Sequence, residues 1–561
     1  MSECETLAGP PLHEATGIGG RTLGALLTEL CARVPDHEAL VFDDPFLCGA
    51  TVRWTYGDLE RQARRVAKAL LAAGIGKGAR VGVLMGNRPE AVASLFGGAL
   101  AGAVVVPLST FSPKPELSHL LAHADLSVLL LQTTMGAHRF AADVTELCPA
   151  AASPGSIADA AYPYLRHAAA LGPVEYTCGI EPWERFLQRG DTIDDELLDA
   201  AAAQVHASDP AVIIYSSGTT DRPKGVLHHH EAVALQCWTQ AGLFGRDEST
   251  RLWCALPIFW TAGLNAAMGA TLAAGGTWVM QEVFEPGHAL RLMERERVTE
   301  PHTLPHQARA LEEHPDWPST DLSSCTRVFG KSVFTRHPSV TGDTSWNMPV
   351  GYGSSETCSF FTAHPSGTPR ELLRRRGYGR LLAGNELRVV DPETGRVLGP
   401  DEEGELAVRG PTLMDHYVKR TRAECFDADG FYRTGDLGSY DEDGYVYFSG
   451  RRTEVIKTAG ATVSPAEIEV RLQAYEPVKL ARAVGVPDDR RAEIVVLCVE
   501  LKAGATATED DIKSFLRERL AAYKVPKRVL FFPEGEVPMN RSGMKVKDEA
   551  LVALARERLS R

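Results

Sequence analysis

Paired cysteines are missing from this chain. Its 11 cysteines among 561 residues are scattered from Cys4 to Cys498, with an odd total and no CxxC pair. No complete disulfide framework fits that pattern, which reads instead as reduced, mostly buried thiols in a cytoplasmic protein. Long apolar runs are missing too. No uncharged apolar stretch approaches the roughly 18 residues that a membrane span needs. The opening MSECETLAGPPLHEATG carries early acids and no apolar core, unlike a secretory signal. Basic charge is in deficit, with 59 Lys and Arg against 73 Asp and Glu, a formal net charge of −14. A nucleic-acid partner needs a basic footprint, so the balance argues against that class. Solenoid repeats and low-complexity tracts are absent as well.

What is present is an alternation of helices and strands. In residues 22 to 34, Leu23, Leu26, Leu27, Leu30 and Val34 fall at helical spacing behind a Thr22 cap. Residues 55 to 72 repeat the pattern with Leu59, Ala63, Val66 and Leu70, and Gly74 and Gly76 stop that helix. VGVLM (81 to 85), VVVP (104 to 107) and SVLLL (127 to 131) read as buried strands, with a helix through Ala91, Ala93, Leu95 and Leu100 between the first two. Such alternation predicts a parallel α/β sheet. Residues 149 to 210 are rich in Ala, Pro, Gly and acids, and read as a surface excursion. From about residue 380, NELRVVD, GELAVRG and GYVYFSG predict a small β-subdomain. After Gly450 a compact α+β segment follows, opened by a capping box at Ser464, Pro465 and Glu467. A chain of this length needs more than one core, and the expected division is 1–450 and 451–561.

The stretch IIYSSGTTDRPKG (213 to 225) places hydroxyls, a glycine and a lysine directly after a strand. Freed backbone N–H groups, hydroxyl donors and one ammonium suit an anion. The order does not fit GxxxxGK[ST], and on composition alone an ordinary flexible turn is an equal reading. Four further stretches decide between them: GYGSSET (351 to 357), GELAVRGP (404 to 411), FYRTGDLG (431 to 438) and GRRTEVIKTAGATVSPAEIE (450 to 469). Together, in this order and spacing, they resemble the adenylate-forming superfamily of acyl- and aryl-CoA synthetases, peptide-synthetase adenylation domains and luciferases. The resemblance spans roughly residues 20 to 550.

The resemblance implies a large N-terminal domain with parallel α/β sheets plus a small β-subdomain, and a small mobile α+β C-terminal lid. It implies ATP-dependent conversion of a carboxylic acid to acyl-AMP with loss of pyrophosphate, then transfer to a thiol such as coenzyme A. Ser216, Ser217, Gly218, Thr219 and Thr220 are implied to grip the ATP phosphates, with Lys224 closing the loop and Thr219 serving catalysis. Tyr352 is implied to lie on adenine, Thr357 at the α-phosphate, and Glu356 on Mg2+, a hard cation that prefers carboxylate oxygen. Asp436 is implied to hold the ribose with Arg451 close by. Trp260, Gly263, Gly330, Lys331, Gly351 and Gly353 are implied to wall the acid pocket. The lid is implied to hinge at Thr453 and to bring Gly460 to the pantetheine channel.

Three departures from the family pattern stand out. Asp221 replaces the usual loop glycine, and its carboxylate is expected to face away from phosphate, toward Lys224 or Arg222. In RSGMKVK the family's Gly-Lys pair is broken by Met544, so Lys545 is the expected adenylation lysine, with Lys547 or none as alternatives. Trp260 and Lys331 stand where relatives carry a histidine and a small residue. If Lys331 points inward it fits a small acid, or one with a second polar or anionic group; otherwise it is a surface charge. His228, His229 and His230 point different ways on any regular element and read as packing rather than metal ligands, and Arg374, Arg375 and Arg376 as a solvated run. Open alternatives are transfer to a carrier-protein thiol, to an amine, or of activated nitrite to an aryl amine. A non-catalytic nucleotide-binding or scaffold role stands beside them.

Overall fold

The computed structural model describes residues 6–560 apart from 154, 174–178, 217–222, 330–331, 342–345, 376, 452–455, 459–460, 464, 489–491, 521–523 and 540–545. The chain divides into two compact units. One is Ala8–Glu386 with Arg409–Gly430; the other is Met1–Leu7, Leu387–Val408 and Phe431–Arg561.

In the larger unit the first helix is Leu23–Arg33, and Thr22 Oγ1 accepts from Ala25 N–H at 3.0 Å. The next, Tyr56–Ala72, opens on a capping box between Thr55 and Asp58. It stops before Gly74, whose φ of 74° suits a residue without Cβ. The main sheet has eight strands. In spatial order they are His416–Tyr417, Lys224–His229, Pro210–Ser216, Val104–Pro107, Arg80–Leu84, Val128–Gln132, His167–Leu171 and Ile180–Pro182. The last six are parallel; the first two pair antiparallel at one edge. A second sheet joins Glu300–His302, Arg251–Cys254, Thr277–Met280, Glu38–Asp44 and Ala50–Thr55.

The physical reason for the apolar runs is burial on both faces. Val81, Val83, Val105, Val128 and Leu130 meet helix residues such as Leu59, Val66 and Leu95, and the same cluster takes in Leu40, Phe42, Leu252 and Trp278 of the second sheet. Leu84, Val104, Val106, Leu129 and Leu131 face a separate cluster with Leu117, Leu120 and Val144. The expected surface excursion at 149 to 210 is corrected here. It contributes two parallel strands, with Ala168, Ala169 and Ala170 buried in the sheet, and the helices Trp183–Gln188 and Asp195–Ala203. Alanine carries no β-branched signal, so HAAAL does not announce a strand.

The smaller unit carries two sheets. One runs Glu386–Val390, Gly404–Arg409, Tyr432–Tyr440, Val446–Arg451. The other runs Ala461–Val463, Ile456–Thr458, Ala492–Leu501, Val478–Asp488, with Arg528–Phe531 parallel to Ala492–Leu501. Ile468 and Leu472 of helix Pro465–Leu472 and Ile512 and Leu516 of helix Glu509–Arg517 pack on Leu497 and Val499. Among the described residues no helix is long and apolar enough to cross a membrane.

Candidate active site

The strands flanking the expected phosphate loop pair antiparallel in the larger unit. They pair Ser216 with Lys224 and Tyr215 with Gly225. Ser217, Gly218, Thr219, Thr220, Asp221 and Arg222, between them, lie outside the described residues. At the exit, the Lys224 ammonium sits 5.7 Å from the ring centroid of Tyr417, a cation–π distance. Tyr417 belongs to the edge strand paired with Val226. Its hydroxyl donates to Glu356 Oε1 at 2.8 Å, and Glu356 O accepts from Met414 N–H at 2.7 Å. Lys224, Tyr417 and Glu356 therefore form one cluster, in which a tyrosine joins an ammonium to a half-buried carboxylate. Tyr417, 61 residues from Glu356, is absent from the motifs and gives no local signal in the sequence.

The GYGSSET segment is wound tightly. A Cβ on Gly351 would lie 2.1 Å from Thr362 O, and one on Gly353 would lie 1.8 Å from Ser359 O, so both positions need glycine. Tyr352 is buried, and its N–H donates to Thr362 Oγ1 at 3.1 Å. Thr357 is 1% exposed; its hydroxyl accepts from Ser354 N–H at 2.8 Å and donates to Ser359 O at 2.7 Å. Cys358 and Ser359 have φ of 58° and 126°, a conformation L-residues seldom adopt. Strain of this kind costs roughly 1–3 kcal/mol per residue and persists only where the surroundings impose it.

Of the three neighbouring histidines, His228 bonds to this segment, and His229 and His230 bond elsewhere. His228 Nε2 donates to Ser355 O at 2.8 Å, His229 Nε2 lies 3.2 Å from Asp415 Oδ1, and His230 Nδ1 accepts from Leu23 N–H at 3.3 Å. Burial lowers the His228 pKa to about 4, so its imidazole is neutral near pH 7. The segment 257–269, expected to wall the acid pocket, winds into a π-helix, Ala262–Gly269, a geometry common at functional sites. Gly263 passes so close to Pro257 that a Cβ would stand 1.9 Å from its carbonyl oxygen. Trp260 packs edge-to-face on Phe259 and Phe111, with ring centroids 5.8 and 6.0 Å away. Gly330 and Lys331 lie outside the described residues.

In the smaller unit, Asp436 and Arg451 are direct cross-strand partners, with Arg451 Nε 3.1 Å from Asp436 Oδ1. Asp436 is 4% exposed. Arg375, from the basic run, pairs with Glu371 one helical turn earlier. Thr453, Gly460, Ser464, Arg376 and Lys545 lie outside the described residues. Lys547 is described, its N–H donating to Pro538 O at 2.8 Å. The nine described cysteines are unpaired, and seven of them are buried.

A mostly parallel sheet with an antiparallel hairpin at one edge, and a separate α+β unit, fit the ligase architecture that the sequence resemblance implies. Comparison with known proteins names the family. The chain belongs to the AMP-binding enzymes: residues 27–418 match "AMP-binding enzyme" and residues 467–544 match "AMP-binding enzyme C-terminal domain". It is an acid–thiol ligase of the acyl-CoA synthetase kind. It is 32% identical over 508 residues to the indoleacetate–CoA ligase of Aromatoleum aromaticum, covering 90% of this chain and 94% of that one. It is 32% identical to a feruloyl-CoA synthase of Amycolatopsis sp over 498 residues, 88% of this chain and 93% of the relative. Among solved structures, ATP-bound MatB from Rhodopseudomonas palustris superposes with a TM-score of 0.73 at 26% identity, covering 96% and 99% of the two chains.

Proposed function

We propose that this ligase activates a compact, ring-bearing carboxylic acid and passes it to coenzyme A. The aromatic group Phe111, Phe259 and Trp260 supports the acid class, because edge-to-face rings offer further rings a stacking surface. The indoleacetate and feruloyl ligases above act on acids of that kind by name.

In the first step a carboxylate oxygen of the acid bonds to the α-phosphorus of ATP, and the bond to the pyrophosphate oxygen breaks. Charge gathers on the phosphate oxygens, where preorganised donors contribute most. Ser216, Ser217, Gly218, Thr219, Thr220 and Lys224 would supply those donors, with Thr357 at the α-phosphate and Lys545 beside the acid carboxylate. Tyr352 would bear on adenine, and Asp436 with Arg451 on ribose. Glu356, a half-buried carboxylate fixed on one oxygen by Tyr417, suits Mg2+. The cation would supply charge neutralisation to the phosphates when bound. In the second step the thiol attacks the acyl carbon and AMP leaves. Residues 451–561 would act as a lid that turns at Thr453 between the steps and brings Gly460 to the pantetheine arm. Gly330 and Lys331 would complete the acid pocket with Trp260, Gly263, Gly351 and Gly353. Scattered, buried thiols favour a cytoplasmic setting.

A second acceptor is favoured by one observation. An amide bond synthetase, McbA from Marinactinospora thermotolerans, superposes with a TM-score of 0.72 at 26% identity. Mass spectrometry of products from ATP, magnesium, coenzyme A and mixed acids, nitrite included, separates the readings. An aryl-CoA thioester is expected. AMP release that needs an amine and ignores coenzyme A would replace it.

A further inference from the structure

Two side-chain amides hold the strained end of the nucleotide motif. Gln236, on helix His230–Phe244, donates through Nε2 to Thr357 O at 3.2 Å and Phe360 O at 2.6 Å. Asn265, on the π-helix Ala262–Gly269, donates through Nδ2 to Cys358 O at 2.5 Å. The Thr357 hydroxyl takes the remaining carbonyl, that of Ser359. All four carbonyls from 357 to 360 thus accept from side chains. Both amides are fully buried. Each is itself oriented: Gln236 Oε1 accepts from Gln240 Nε2 at 2.9 Å, and Asn265 Oδ1 lies 3.9 Å from the Cys237 sulfur. Water cannot replace a donor at such depth, so removing either amide leaves a carbonyl unpaired.

The two donors differ in where they come from. Gln236 stands on helix His230–Phe244, which also packs on the π-helix through Cys237, but among the described residues its own side chain bonds only to the motif and Gln240. Asn265 stands on the segment that carries Trp260 and Gly263. From this difference we infer that Asn265 is a positioning residue coupling the acid site to the nucleotide site, while Gln236 serves the nucleotide site alone. Because Cys358 and Ser359 are held at positive φ by these bonds, a shift of the π-helix on acid binding reaches Thr357 and Glu356 through one hydrogen bond. The inference rests on the acid and nucleotide readings proposed above.

The test uses full-length protein with Asn265→Ala and Gln236→Met, which remove the amide donor and leave no hydroxyl or carboxyl to replace it. Binding of a non-hydrolysable ATP analogue is measured by calorimetry, and Michaelis constants for ATP and acid by pyrophosphate exchange. Each variant should bind the analogue about tenfold more weakly, because the segment 357–360 is no longer held in its binding shape. Asn265→Ala should also raise the Michaelis constant for the acid, and Gln236→Met should leave it unchanged. A folded Asn265→Ala, with a cooperative unfolding transition, that leaves either analogue affinity or the acid constant unchanged overturns the coupling. If Asn265→Ala fails to fold, Asn265→Leu, which also lacks a donor, takes its place with the same two outcomes. A wild type that binds the analogue but exchanges no pyrophosphate overturns the proposed reaction, and analogue affinity then decides the link. A wild type that binds no analogue overturns both.

Discussion

Tyr417 joins Lys224 to Glu356 in the cluster proposed to bind the nucleotide, so its hydroxyl and its ring can be tested apart. Tyr417→Phe keeps the ring beside Lys224 and loses the bond to Glu356. A hydrogen bond of this kind contributes about 1 kcal/mol, so the Michaelis constant for ATP should rise about fivefold. Tyr417→Ala loses both contacts and should rise further; steady-state kinetics in ATP check the order. Lys545→Ala should abolish acyl-AMP formation while sparing the reaction of added acyl-AMP with coenzyme A, and unchanged pyrophosphate exchange in that variant would refute its role. Ser216, Lys224, Tyr352, Glu356 and Thr357 are proposed site residues because they stand in motifs that are local in the sequence. Tyr417, Gln236 and Asn265 could not be named from the sequence, since each reaches its partner through the tertiary fold. Asn265 did leave one trace, a lone amide within the apolar run AGLNAAMGA.

At the scale of elements, the close passage of the π-helix start over Pro257 explains why the segment carries glycine there. Gly263→Ala would put a methyl 1.9 Å from a backbone oxygen, a clash that no rotamer relieves. Overpacking of this sort costs about 1–3 kcal/mol, and urea unfolding should show the loss with the acid constant raised as well. An unchanged midpoint and kinetics would mean the segment is wound differently. One cap was legible, since Thr22 accepts the expected backbone bond; Thr55 and Thr508, not among the expected caps, cap their helices in the same way. The strands around His167–Leu171 were not, because alanine-rich strands draw their stability from sheet neighbours on both sides rather than from their own residues.

At the scale of the whole molecule, buried histidines set an acid limit to stability. His228 and His230 have pKa values lowered to about 4 by burial, against about 6.5 in an unfolded chain. Between those values the unfolded state binds more protons, so stability is intact above about pH 6.5 and falls as the pH drops toward 4. Each histidine should account for about 2 kcal/mol between pH 7 and pH 5. Urea midpoints over that range should fall, and His228→Asn should remove part of the slope; a slope unchanged in that variant would show that His228 does not titrate with unfolding. The parallel core could be read from alternating apolar runs, whereas the grouping of Leu387–Val408 with the C-terminal residues depends on packing that no local pattern records. The central claim, acid-dependent adenylation, is tested most directly by exchange of labelled pyrophosphate into ATP across a panel of acids without coenzyme A. The account predicts exchange that requires both magnesium and an acid and is fastest with compact aromatic acids. Nucleotide binding without exchange for any acid would contradict it.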